Sequence, residues 1–171
     1  MRPQIKKILY ATDLSKNSAF AYQYATDFAE KNDAMIIILH VFEPLTQSAR
    51  VAVESYFTDE QKEKIANQQS DTIAKIRSRL NGFCENVQKD DPECVYRVED
   101  IVVTEGFPAA TILQKADELD CDIIMMGTHG KGMIGHAFLG SVAEKVLRRS
   151  GKPVFTIPLP KGETDITVHD I

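Results

Sequence analysis

Apolar runs of β-branched residues alternate along the chain with segments whose apolar positions recur near every 3.6 residues, the pattern of βαβ units on a parallel sheet. Lys7–Thr12 and Ala34–Phe42 are nearly continuous apolar runs, as expected of central strands covered on both faces. Cys94–Val103 places polar residues between apolar ones and predicts an exposed edge strand. Asp122–Met126 and Pro153–Ile157 supply two short strands. Between them, Ala21, Tyr24, Ala25, Phe28 and Ala29 mark one helical stripe, and Ile65, Ile73, Ile76, Leu80 and Phe83 another. A third helix opens at Pro108 and runs through Ala109, Ile112, Leu113, Ala116 and Leu119. The fourth starts at Ser141 with Glu144 three residues on, a capping-box pattern, and stops at Ser150-Gly151 ahead of Pro153. Residues 43–58 have no clear period and predict a mobile loop, and residues 160–171, with Glu163, Asp165 and Asp170, a frayed tail.

The bulk numbers fit one domain over residues 1–171, with a core spanning about residues 6–159. The chain is 43% hydrophobic and 26% charged, ordinary values for a globular unit of this size. A formal net charge of -5 supplies no excess of basic groups to displace counterions from nucleic acid, so no nucleic-acid partner is expected. The longest apolar run, Met35–Leu39, is far below the ~18 residues of a membrane span. The first residues lack the apolar core of a secretory signal. Cys84, Cys94 and Cys121 are odd in number and form no metal-ligand pattern, in keeping with a reducing cytoplasm.

Chemistry concentrates between Gly127 and Gly140, where five glycines follow a buried strand and precede a helix. Glycine lets backbone amides approach a ligand, and a helix N-terminus offers unpaired N–H groups and a favourable dipole to an anion. Two phosphate motifs fail here. A P-loop needs four residues between its glycines and then Lys-Ser or Lys-Thr, whereas Gly127 and Gly130 are separated by two and Lys131 precedes Gly132. The run Gly130-Lys131-Gly132-Met133-Ile134-Gly135 matches the dinucleotide fingerprint in letters only, since it follows the fourth strand and no acidic residue ends the next one.

The spacing Gly127, two residues, Gly130, nine residues, Gly140-Ser141 resembles the ATP-binding branch of the universal stress protein family. The opening Ile8-Leu9-Tyr10-Ala11-Thr12-Asp13-Leu14-Ser15 is similar to that family's first strand and acidic turn. The likeness covers about Lys6 to Leu159. Two departures are Ala11, where many ATP-binding members carry proline, and the additional pair Gly132 and Gly135.

The resemblance implies an open five-stranded parallel α/β sheet of order 3-2-1-4-5, Rossmann-like, with helices on both faces. Winding then reverses between strands one and four, and ligands of such sheets sit beyond the carboxyl ends of the strands at that switch point. It further implies that Ala11, Thr12 and Asp13 lie by the adenosine and that Val41 contacts adenine through its main chain. Met126 and Gly127 would end the fourth strand, with Gly127 at the ribose, and Gly130, Gly140, Ser141 and Val142 would surround the phosphates with His129 in reach. Asp13 also reads as a turn or cap residue, Ser141 as a helix N-cap, and His40 as a packed strand residue. ATP, ADP or AMP would be the ligand, with Mg2+ or Mn2+ carried by the phosphates. A homodimer through the fifth strand follows from the same likeness.

The expected function is a nucleotide-binding regulatory module in a stress response, with an unidentified protein partner. A slow ATP hydrolase or nucleotide-dependent transferase is the alternative, for which only His129 and Asp13 offer a group to orient water. A nucleotide-free interaction domain that keeps the fold is the third reading.

Overall fold

The computed structural model describes residues 4–90, 97–128 and 139–158. Ten elements follow one another: β1 (Lys7–Thr12), α1 (Lys16–Asn32), β2 (Met35–Phe42), α2 (Gln47–Tyr56), α3 (Asp59–Asp90), β3 (Val98–Glu105), α4 (Pro108–Glu118), β4 (Ile123–Gly127), α5 (Ser141–Arg149) and β5 (Val154–Ile157). The strands form one parallel sheet of order β3-β2-β1-β4-β5. The expected fold and strand order are therefore present.

The alternation of side chains along a strand divides the core in two. Ile8 and Tyr10 of β1, Ile36 and Ile38 of β2, and Ile123 and Met125 of β4 pack with Ala21, Ala25 and Ala29 of α1 and Leu80 and Cys84 of α3. Leu9, Ala11, Ile37, Leu39, Ile124 and Met126 point the other way, onto Ile112 and Ala116 of α4 and Ala143 and Val146 of α5. The continuous apolar runs of β1, β2 and β4 follow directly, because both faces of each strand are covered. Three alanines spaced by four residues let α1 lie close over the sheet. Tyr24, expected on that stripe, is half exposed. Tyr22 is the buried aromatic instead, with ring centroids 5.3 Å from Tyr10 and 5.2 Å from Phe83.

β3 lies at one edge, as its alternating pattern predicted, and β5 at the other, as the implied strand order placed it. β3 ends two residues later than expected, at Glu105, and residues 94–96 of the expected strand lie outside the described residues. The tail 160–171 also lies outside them.

Two expectations are overturned. Residues 43–58 hold a helix, α2, where an aperiodic loop was expected. Thr46 Oγ1 accepts from Ala49 N (3.3 Å) as its N-cap, and α2 buries no residue, so no strong apolar period marks it in the sequence. The capping box at Ser141 does not form. Gly140 is the N-cap of α5, and its carbonyl accepts the first intrahelical bond from Glu144 N (2.9 Å). Ser141 is thus one position inside the helix, and Glu144 reaches Arg148 at 3.4 Å.

Candidate functional site

The end of β1 is a tightly bonded turn. Asp13 Oδ1 accepts from Ser15 N (3.0 Å) and Ser15 Oγ (2.6 Å), an Asx turn that sets up the helix start. Ser15 is the N-cap of α1, its Oγ accepting from Ser18 N at 3.3 Å. Thr12 Oγ1 accepts from Leu14 N (3.1 Å) and donates to Ser18 Oγ (2.9 Å), which in turn donates to the Ser15 carbonyl (2.6 Å). Between them Leu14 adopts φ 63°, a left-handed conformation that leucine rarely takes. Its side chain packs against the α1 and α3 core. Beneath the turn, the Tyr10 hydroxyl donates to the Ser18 carbonyl. Burial, then the nearby Asp13 carboxylate, hold the Tyr10 phenol well above the usual tyrosine range. Asp13 thus fills the turn role read from the sequence.

β4 ends at the same level. Ala11 and Met126 are register partners, so Asp13 and Thr128 each lie two residues beyond a common rung. Thr128 is buried, its N–H donating to the Ile157 carbonyl of β5 (2.9 Å). Its own carbonyl accepts from Gly140 N at 2.7 Å. That bond returns the chain to the end of β4 and sets the N-terminus of α5 beside it. Gly140 is buried and contributes no side-chain cap, so the N–H groups of Ser141, Val142 and Ala143 stand ahead of the first intrahelical bond. Ser141 is exposed, and Val142 is half-buried against the α4 and α5 core.

Among the residues named from the sequence, Ala11, Thr12 and Asp13 stand on β1 and its turn, and Met126 and Gly127 end the adjacent strand β4. Gly140, Ser141 and Val142 are brought there by the bond to Thr128. Val41, half-buried, sits one strand over near the end of β2. His129 and Gly130 lie outside the described residues.

His40 is packed, as expected, and does more: its Nδ1 is 2.8 Å from the Thr12 carbonyl, tying β2 to the end of β1. Neither this contact nor the left-handed Leu14 could be read from the residue pattern. Only the Asp13-Leu14-Ser15 spacing, an Asx-turn signature, pointed to the turn.

Among the described residues no group of three or more His, Cys, Asp or Glu side chains could hold a metal ion. Cys84 and Cys121 are free, buried thiols on opposite faces of the sheet. Burial is the main cause that raises both pKa values, that of Cys121 to about 11. No helix among the described residues is long and apolar enough to cross a membrane.

Sheet order defines an open, Rossmann-like α/β domain whose winding reverses between β1 and β4, the switch point of such sheets. The model of the universal stress protein family matches residues 4–158, and the chain belongs to that family. It is 30% identical over 165 residues to a universal stress protein of Methanocaldococcus jannaschii, covering 92% of this chain and 97% of the relative. The solved structure of that relative is similar with a TM-score of 0.68 at 29% identity, covering 92% of this chain and 99% of the other. A universal stress protein in complex with cAMP is similar at a TM-score of 0.60 and 21% identity, over 91% and 98% of the two chains. One from Archaeoglobus fulgidus in complex with dAMP is similar at 0.52 and 19%, over 88% and 96%. The last two bear on the fold.

Proposed function

We propose that this chain binds an adenine nucleotide, ATP foremost, in the crevice beyond β1 and β4, and acts as a regulatory stress-response module in the cytoplasm. The observation that carries this reading is the pairing of two segments distant in sequence at one switch point. The Asp13 turn closes β1, and the uncapped N-terminus of α5 is fastened to the end of β4 by the bond from Gly140 N to the Thr128 carbonyl. The cAMP and dAMP complexes of the structural relatives support an adenine ligand.

In this reading Ala11, Thr12 and Asp13 face the adenosine, Val41 offers its main chain to the base, and Met126 and Gly127 border the ribose. His129, Gly130, Gly140, Ser141 and Val142 enclose the phosphates, largely through main-chain N–H groups and the helix dipole. Each charge-assisted hydrogen bond contributes about 1.5–3 kcal/mol. Three or four of them, with a partly buried base, are compatible with micromolar affinity, about -8 kcal/mol. A divalent ion, Mg2+ or Mn2+, would ride on the phosphates. The commitment of Asp13 Oδ1 to Ser15 favours a holding role for this carboxylate over that of a base. The partner in assembly would be a second copy joined along β5.

Isothermal titration with ATP and Mg2+ tests the site. Micromolar binding is expected for the unaltered chain, and its loss in a Gly130→Val, Gly140→Val variant that keeps its far-ultraviolet circular dichroism. Equal binding by the two proteins would refute the assignment. Mass spectrometry of freshly purified, denatured protein is expected to release an adenine nucleotide.

A further inference from the structure

Thr12 is the last residue of β1 held by the sheet, and its register partner is His40 of β2. The Lys6 carbonyl accepts from Met35 N at 2.8 Å, so even-numbered carbonyls along this strand are directed at β2, that of Thr12 among them. There it meets His40 Nδ1 at 2.8 Å. A carbonyl oxygen only accepts, so Nδ1 carries a proton and is the donor. The Thr12 carbonyl and the Asp13 N–H share one planar peptide, and holding the oxygen therefore fixes the direction in which the chain leaves β1 for Asp13. Thr12 Oγ1 fixes the next step, accepting from Leu14 N at 3.1 Å and donating to Ser18 Oγ at 2.9 Å.

The hold comes from behind. Side chains alternate along a strand, and Ile8 and Tyr10 of β1, with Ile36 and Ile38 of β2, pack against α1 and α3. Thr12 and His40 continue those two rows, and His40 is buried there at 8% exposure. Ala11 and Val41 belong to the opposite rows, whose core includes Val142 and Ala143 of α5. Ala11, Val41 and the start of α5, all proposed to meet the nucleotide, thus share one face of the sheet. His40 stands on the other.

We infer that His40 is a positioning residue for the nucleotide site, acting from the opposite face of the sheet through the Thr12 carbonyl. It presets the peptide ahead of Asp13, so the turn is ordered before a ligand arrives and the cost of ordering it does not fall on binding. The inference rests on the nucleotide reading above and adds to it a residue that touches no ligand. Such a group alters affinity without altering choice among phosphate lengths, because it acts at the adenosine end, which ATP, ADP and AMP have in common.

Isothermal titration of ATP, ADP and AMP, each with Mg2+, into the unaltered chain, His40→Leu and His40→Asn tests the role. Leucine fills the space and removes the donor, whereas the asparagine amide nitrogen stands where Nδ1 does. His40→Leu is expected to bind all three nucleotides about three- to tenfold more weakly, by one common factor, the scale of one lost hydrogen bond. His40→Asn is expected to recover most of that loss. His40→Phe, a ring without a donor, is expected to match the leucine variant and replaces it if that variant does not fold. Unchanged affinity in the donorless variants overturns the inference. So does an equal loss in His40→Asn, which would make the role one of packing. A loss that differs among the three nucleotides overturns it too, by placing His40 on the ligand. Absence of adenine-nucleotide binding to the unaltered chain removes the nucleotide reading, and the positioning role with it.

Discussion

Gly106 has little room for a side chain against Thr111. A Cβ there would stand 2.2 Å from Thr111 Oγ1, which would force the threonine to rotate, and 3.3 Å from Thr111 Cβ, a tight contact that rotation leaves in place. Gly106→Ala is expected to destabilise the fold by about 1–3 kcal/mol in urea denaturation. Adding Thr111→Ala should recover part of that loss. The role of this glycine was not legible in the sequence, because it depends on how α4 returns against the end of β3. Asp13 was legible as a turn residue from its spacing to Ser15. Its rigidity was not, since it comes from Thr12, Ser18 and His40 together. Ser15→Ala removes the N-cap of α1 and a partner of Asp13, and is expected to cost about 0.5–2 kcal/mol of stability. If Asp13 holds the adenosine, ATP affinity measured by calorimetry should fall in the same variant.

Among the elements, β1, β2 and β4 could be read almost residue by residue, because strands covered on both faces must be apolar throughout. Helix α2 was hidden for the converse reason: with no buried residue, its apolar stripe is short and is interrupted by Val51 on the far side. The start of α5 at Ser141 was legible, but its cap was not, because a serine followed three positions later by a glutamate imitates a capping box. The true cap is a glycine with no side chain to announce it. Thr46→Ala should fray α2 while leaving the sheet intact. Hydrogen exchange is expected to speed up across residues 49–56, with the global urea midpoint nearly unchanged, because few tertiary contacts are lost.

At the scale of the whole molecule, buried acids set the alkaline limit. The pKa of Cys121 rises in the fold from 9.0 to about 11, and those of Cys84 and Tyr10 move the same way, chiefly through burial. The unfolded chain therefore releases these protons first as pH climbs. Stability is full below about pH 9 and declines toward about pH 11, by on the order of 2 kcal/mol for Cys121 alone. Urea titrations at pH 8 and pH 10.5 check this, and Cys121→Ala should flatten the slope. Assembly belongs to the same scale. β5 is an edge strand whose Phe155 is 46% exposed and touches Phe28 of α1, with ring centroids 5.2 Å apart. Phe155→Lys is expected to give monomers in sedimentation equilibrium if β5 joins two copies, with ATP binding retained. The bond from Gly140 N to the Thr128 carbonyl carries a last consequence. It joins the N-terminus of α5 to the end of β4 through backbone atoms of Thr128 and Gly140, so this joint depends on no side chain. Doubling the length of chain between two joined ends costs only about 0.6 kcal/mol in closure entropy. Lengthening the sequence between Thr128 and Gly140 is therefore expected to leave the urea midpoint of the fold nearly unchanged.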